Sequence, residues 1–91
     1  MSVTVRIPTP LRTATGGAST AEVEGADVGE VVAALERAHP GIGERLLDDG
    51  GKIRRFVNVY VDDEDVRFAG GLATPVPDGA TVSIIPAVAG G

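Results

Sequence analysis

The chain has no cysteine and no tryptophan, only one histidine, one lysine and three other aromatic residues. The missing cysteine excludes a disulfide framework, a thiolate metal site and a cysteine nucleophile together. Long apolar runs are missing too: none approaches the roughly 18 residues a bilayer-spanning helix needs. The opening "MSVTVRIP" carries an arginine inside a strand pattern and no signal-peptide core, so the cytoplasm is the expected compartment and no membrane partner is expected. Positive charge is scarce. A net charge of -5 argues against a grip on phosphate backbones, which needs clustered Lys and Arg, and so against nucleic acid as a partner.

What is present reads as one small folded domain of 91 residues, with 43% apolar and 23% charged residues excluding a disordered chain. Val3, Val5 and Ile7 alternate with polar residues, the period-two mark of a strand with one buried face. Pro8 and Pro10 stop it, "TATGGAST" turns the chain, and "STAEVEG" alternates again, which predicts an antiparallel hairpin. "ADVGEVVAALERAHPG" predicts the main helix. Asp27 is placed to cap it, Glu30 to reach back, and Val28, Val31, Val32 and Leu35 form one apolar stripe. Pro40 and Gly41 end it, and "IGERLL" predicts a short helical turn that tucks in Ile42, Leu46 and Leu47.

"RRFVNVYVDD" predicts a strand with Val57, Val59 and Val61 toward the core and Phe56, Asn58 and Tyr60 on the other face. "DDEDVRFAGG" reads as a turn and a short strand that carries Phe68, and the final strand is expected over residues 80–85. The sum is an α+β domain: a mixed sheet of about five strands, covered on one face by one main helix.

A catalytic constellation is not found in it. His39 reads as a helix C-terminal residue, favoured there by the helix dipole, and has no nucleophile nearby in sequence. Asp62 to Asp65 lacks the ligand spacing and glycine of a calcium loop and reads as a solvated turn, with charge to offer a basic partner. The internal Gly-Gly pairs precede strands, not helices, so they read as turns and bulges, not phosphate cradles. Arg54 and Arg55 read as a solvated strand start, or as a contact for an acidic protein surface. No metal ligand set and no cofactor-binding motif emerges, and the chain is not expected to be an enzyme.

The remaining feature is the end, "PAVAGG". A terminal glycine presents a carboxylate on a carbon without a side chain, so the end is as narrow as a polypeptide allows. Five residues beyond Pro86 reach roughly 16–18 Å when stretched. The expected division is a folded domain over 1–86 and a flexible reactive tail over 87–91, whose uncharged side chains lower the cost of entering a confined channel.

Together, "RFVNVYVDDEDVRF" and "IIPAVAGG" make the chain resemble the ubiquitin-like β-grasp sulfur carriers of the MoaD/ThiS superfamily, the CysO-type carriers above all, over essentially its whole length. The resemblance implies a β-grasp fold. It also implies that a separate MoeB/ThiF-type activating enzyme, using ATP and Mg, adenylates the carboxylate of Gly91, which then becomes a thiocarboxylate. Ala87, Val88, Ala89 and Gly90 would enter partner sites. In CysO-type pathways the sulfur attacks an aminoacrylate made from O-phosphoserine on a PLP-dependent cysteine synthase, and a metalloprotease releases cysteine. A thiosugar synthase is the second acceptor the resemblance suggests. The exposed sheet face, with Phe56, Tyr60 and Ile85, is expected to dock partners. Two other readings stay open: a ubiquitin-like modifier that forms isopeptides through Gly91, and a β-grasp interaction module without that chemistry.

Overall fold

The computed structural model describes residues 2–55 and 57–86. Five strands form one sheet: β1 (Ser2–Arg6), β2 (Thr20–Glu24), β3 (Val57–Val61), β4 (Glu64–Asp65) and β5 (Thr81–Pro86). Two helices, α1 (Val28–Ala38) and α2 (Ile42–Leu46), lie between β2 and β3. The order across the sheet is β2-β1-β5-β3-β4. β1 and β5 run parallel beside each other, and every other pairing is antiparallel. This is the ubiquitin-like β-grasp arrangement, and the mixed sheet and single main helix expected from the hydrophobic pattern are both there.

Alternation sets the two faces of the sheet. Val3, Val5, Val23, Val57, Val59, Val61, Val82 and Ile84 point to one side and are buried. Against them pack Val28, Val31, Val32 and Leu35 of α1, with Ile42 and Leu46 of α2. Among the described residues the hydrophobic core is therefore aliphatic. Burying side chains of this size stabilises by roughly 1.5–3 kcal/mol each before chain entropy is counted.

The helix begins as its sequence demands. Asp27 accepts a hydrogen bond from the Glu30 amide at 2.8 Å, and Glu30 Oε1 accepts one from the Ala26 amide at 2.8 Å. The carboxylate of Glu30 reaches one residue past the cap, satisfying a second amide at the helix entrance. At the other end Gly41 takes a φ of 102° that side-chain-bearing residues avoid. Glu36 joins the two helices by accepting from the amides of Gly41 (3.0 Å) and Gly43 (2.8 Å), and these bonds hold its carboxyl below the usual glutamate range.

Three expectations need correction. Phe68 does not sit on a strand; β4 is only Glu64–Asp65, and Val66–Phe68 is a 3-10 turn. Asp65 explains the change, because its carboxylate accepts from the Arg67 amide at 2.9 Å and turns the chain before more ladder bonds form. The segment after β1 is more than a loop, since Thr9–Thr15 winds into a 3-10 helix with Leu11 and Thr15 buried. Leu47, by contrast, packs partly buried against the core as expected and bridges to Ile53. The last strand also runs one residue later than expected, with Pro86 paired to Val57. Pro86, which lacks an amide hydrogen, is the last described residue of that ladder.

Candidate functional site at the end of the sheet

Gly91, Gly90, Ala89, Val88, Ala87 and Phe56, six of the residues the sequence singles out, lie outside the described residues. The structure places the point from which residue 87 continues. Pro86 is the last position of β5, a strand that lies between β1 and β3 in the interior of the sheet and not at an edge.

At this end a groove of about 480 Å³ opens between β1, β2 and β5. Its lining includes Arg6, Ile7, Pro8, Arg12, Ile85 and Pro86. Arg6 stands opposite Ser83 in the parallel ladder and is exposed. Arg12 reaches back from the 3-10 helix, its Nε donating to the Ile7 carbonyl at 3.1 Å. The sequence reading passed over both residues. The alternation puts Arg6 on the face opposite Val5, whereas nothing in the sequence around Arg12 indicates its place.

Of the three expected docking residues, the structure describes two. Ile85 is 49% exposed and lies opposite Asn58. Tyr60 is half-buried and lies opposite Ser83, diagonal to Ile85 on the neighbouring strand. Thr4, Arg6, Thr81 and Ser83 share their face, so the apolar character there is local and not sheet-wide. The most exposed large apolar side chain is Phe68, at 89%. It sits next to Arg67, whose Nη2 donates to the carbonyls of Arg55 (2.8 Å) and Val57 (3.1 Å).

The other candidates have structural work. His39 is the C-cap of α1, and its amide donates to Leu35 at 2.7 Å. Asp62 adopts a φ of 56°, a conformation aspartate tolerates better than most residues, and its carboxylate accepts from the Thr81 amide at 3.1 Å. Gly16 and Gly17 take positive φ at the turn into β2. Among the described residues no three His, Cys, Asp or Glu side chains converge as metal ligands, and no helix is long and apolar enough to cross a membrane.

A family model described as the ThiS family matches residues 5–91. The chain belongs to the ThiS family. It is 56% identical over 93 residues to the sulfur carrier protein CysO of Mycobacterium tuberculosis, with 100% of both chains covered. A chain in the crystal structure of the Amycolatopsis orientalis BexX/CysO complex superposes with a TM-score of 0.92 at 56% identity, covering 98% of this chain and 99% of that one. The small archaeal modifier protein 3 of Haloferax volcanii is 41% identical over 66 residues, covering 72% of this chain and 71% of the relative. Full-length likeness to CysO places this ThiS-family protein among the small sulfur carriers, which are not catalysts.

Proposed function

We propose that this ThiS-family chain carries sulfur on its last residue. The folded body, residues 1–86, serves as the handle, and residues 87–91 as the reactive arm. A MoeB/ThiF-type enzyme using ATP and Mg activates Gly91. One oxygen of the Gly91 carboxylate attacks the α-phosphorus of ATP, and pyrophosphate leaves. A sulfide-level sulfur then attacks the carbonyl carbon, the C–S bond forms, and AMP departs with the C–O bond. Adenylation is needed because a free carboxylate is a poor electrophile. The resulting thiocarboxylate is a nucleophile that stays attached to a protein, which lets a chain without cysteine deliver sulfur.

The observation that carries this reading is the reach of the family match to residue 91, together with relatives covered end to end. The likeness to CysO favours cysteine synthesis from O-phosphoserine, on a PLP-dependent cysteine synthase with a metalloprotease downstream. The complex of CysO with BexX in Amycolatopsis orientalis supports docking onto a second protein, and a thiosugar synthase or another secondary-metabolite enzyme is the second acceptor. The Phe56, Tyr60 and Ile85 face serves these partners as a docking surface, with Ala87, Val88, Ala89 and Gly90 threading inward. The cytoplasm is the setting inferred for this chemistry.

Incubation with the activating enzyme, ATP, Mg and sulfide tests the proposal by intact mass. The expected product gains the difference between one sulfur and one oxygen. A chain that turns over ATP and keeps its original mass overturns the thiocarboxylate. The modifier relative of Haloferax volcanii supports a second reading, in which a lysine amine attacks the same adenylate. Covalent adducts to other proteins in the same mass spectra distinguish that reading.

A further inference from the structure

The topology sorts the charges of this acidic chain. β1 and β5 both run toward the end where Pro86 lies, and β3 starts there. At that end stand Arg6, Arg12, Arg55 and Arg67. Arg6 and Arg12 share the groove with Ile85 and Pro86. Arg67 bonds the carbonyls of Arg55 and of Val57, the register partner of Pro86. Because Arg12 and Arg67 donate to backbone carbonyls, their guanidinium groups are held in place while their positive charge is not cancelled. Arg54 stands apart: its Nε donates to the Glu44 carbonyl, and it lines a second hollow with Glu36, Glu44, Asp48 and Asp49.

The opposite end is the reverse. There Asp78 accepts from the Ser2 amide at 2.9 Å, Asp62 bonds the start of β5, and Asp63, Glu64 and Glu24 lie close in the same turns and strand ends. The segments that meet there, residues 2–5, 22–28, 61–66 and 74–82, contain no Lys or Arg. A molecule of net charge -5 thus presents positive charge at the one end from which residue 87 departs.

We propose that these four arginines form a docking collar for an acidic protein rim: carboxylates ringing the opening through which the activating enzyme takes up residues 87–91. The proposal rests on the carrier reading above. Nucleotide phosphates are the wrong target, because reaction occurs at Gly91, up to roughly 16–18 Å of stretched chain from the collar. The collar reaches only what surrounds the channel mouth. Screening gives the local charge its weight. With a Debye length of about 8 Å at physiological salt, the acids at the far end of the sheet are hidden from a partner surface that faces the collar. The charge separation therefore turns the molecule with its reactive end forward during encounter, an effect on association rate above all.

The test compares association rates with the activating enzyme, by stopped-flow across a salt series, for three full-length proteins. These are the wild type, Arg6→Glu/Arg55→Glu in the collar, and Arg37→Glu/Lys52→Glu, with the same charge change on the helix side. The collar variant is expected to associate about tenfold more slowly at low salt, with a flattened salt dependence, and the helix-side variant much less so. At saturating enzyme, all three are expected to reach the same terminal mass. Equal slowing of both variants reports net charge alone and overturns the collar. Unchanged association of the collar variant overturns it too, whether or not the thiocarboxylate forms. Collar-dependent binding of a single-stranded oligonucleotide, in place of the enzyme, also overturns it. Collar-dependent association without any change of terminal mass in the wild type keeps the collar and removes the carrier chemistry. Circular dichroism of each variant guards against misfolding as the cause.

Discussion

The two ends of this sheet use their charged side chains in opposite ways. At the end where β3 turns into β4 and β5 begins, carboxylates are fastened to amides: Asp62 to Thr81 and Asp78 to Ser2. At the end where β5 stops, arginines are fastened to carbonyls: Arg12 to Ile7 and Arg67 to Arg55 and Val57. Both kinds of bond order a turn. The fixed acids close the fold where the chain must reverse tightly. The fixed arginines leave a positive, contoured surface around Pro86, the last described residue. One end thus contributes mainly stability, and the other, under the collar proposal, mainly encounter.

The largest expected break in that comparison concerns the departing end alone. One extra residue after Gly91 moves the carboxylate off the position the activating enzyme needs. Thiocarboxylate formation should fall below detection by intact mass, while the urea midpoint stays unchanged. A tagged chain that is still thiolated would place the chemistry elsewhere.

A smaller, opposite effect is expected at the acidic turn. Asp62→Ala removes the acceptor for the Thr81 amide and puts alanine at a φ of 56°. The cost should be about 1–3 kcal/mol in urea unfolding, with association to the activating enzyme unaffected. Asp62→Gly, which relieves the backbone, should cost less. Slower association in a folded Asp62→Ala protein would mean that the two ends are not separable.

The link between α1 and α2 gives a pH signature. The amides of Gly41 and Gly43 depress the Glu36 pKa in the folded state. A depressed carboxylate pKa stabilises the fold above the unfolded value and loses that contribution as pH falls through the folded one. Glu36→Gln should therefore be less stable than the wild type at neutral pH, and the gap should narrow below about pH 4 in thermal unfolding. A gap constant down to that range would assign the effect to shape alone. Smallest of all, Phe68→Ala should shift stability by less than about 0.5 kcal/mol, since that side chain is 89% exposed. A larger loss would show that Phe68 packs against the body in solution.

Much of this architecture is legible from residue order. The valine alternation in β1 and β3 and the Asp27–Glu30 cap of α1 specify their elements locally, because burial on one face and an unsatisfied first turn leave few other solutions. The 3-10 helix after β1 was not legible. Its Leu11 and Thr15 are buried by contacts with distant segments, and "TPLRTAT" carries no helical stripe of its own. Phe68 was misplaced for a related reason: a single side-chain bond from Asp65 to the Arg67 amide outweighs the β-propensity of the residues that follow. The small, uncharged residues from Ala87 to Gly91 suggest a reactive end from the sequence alone, and they lie outside the described residues. The arginine collar was not legible, because Arg6, Arg12, Arg55 and Arg67 are spread over 61 positions of sequence and meet only once the parallel β1–β5 pair is formed.

The most direct test of the central claim is ATP–pyrophosphate exchange by the activating enzyme, with the full chain and with a chain lacking only Gly91. Exchange is expected with the full chain and lost without Gly91, although the shortened protein unfolds at the same urea concentration. Equal exchange rates for the two proteins would contradict the claim that the Gly91 carboxylate is where activation occurs.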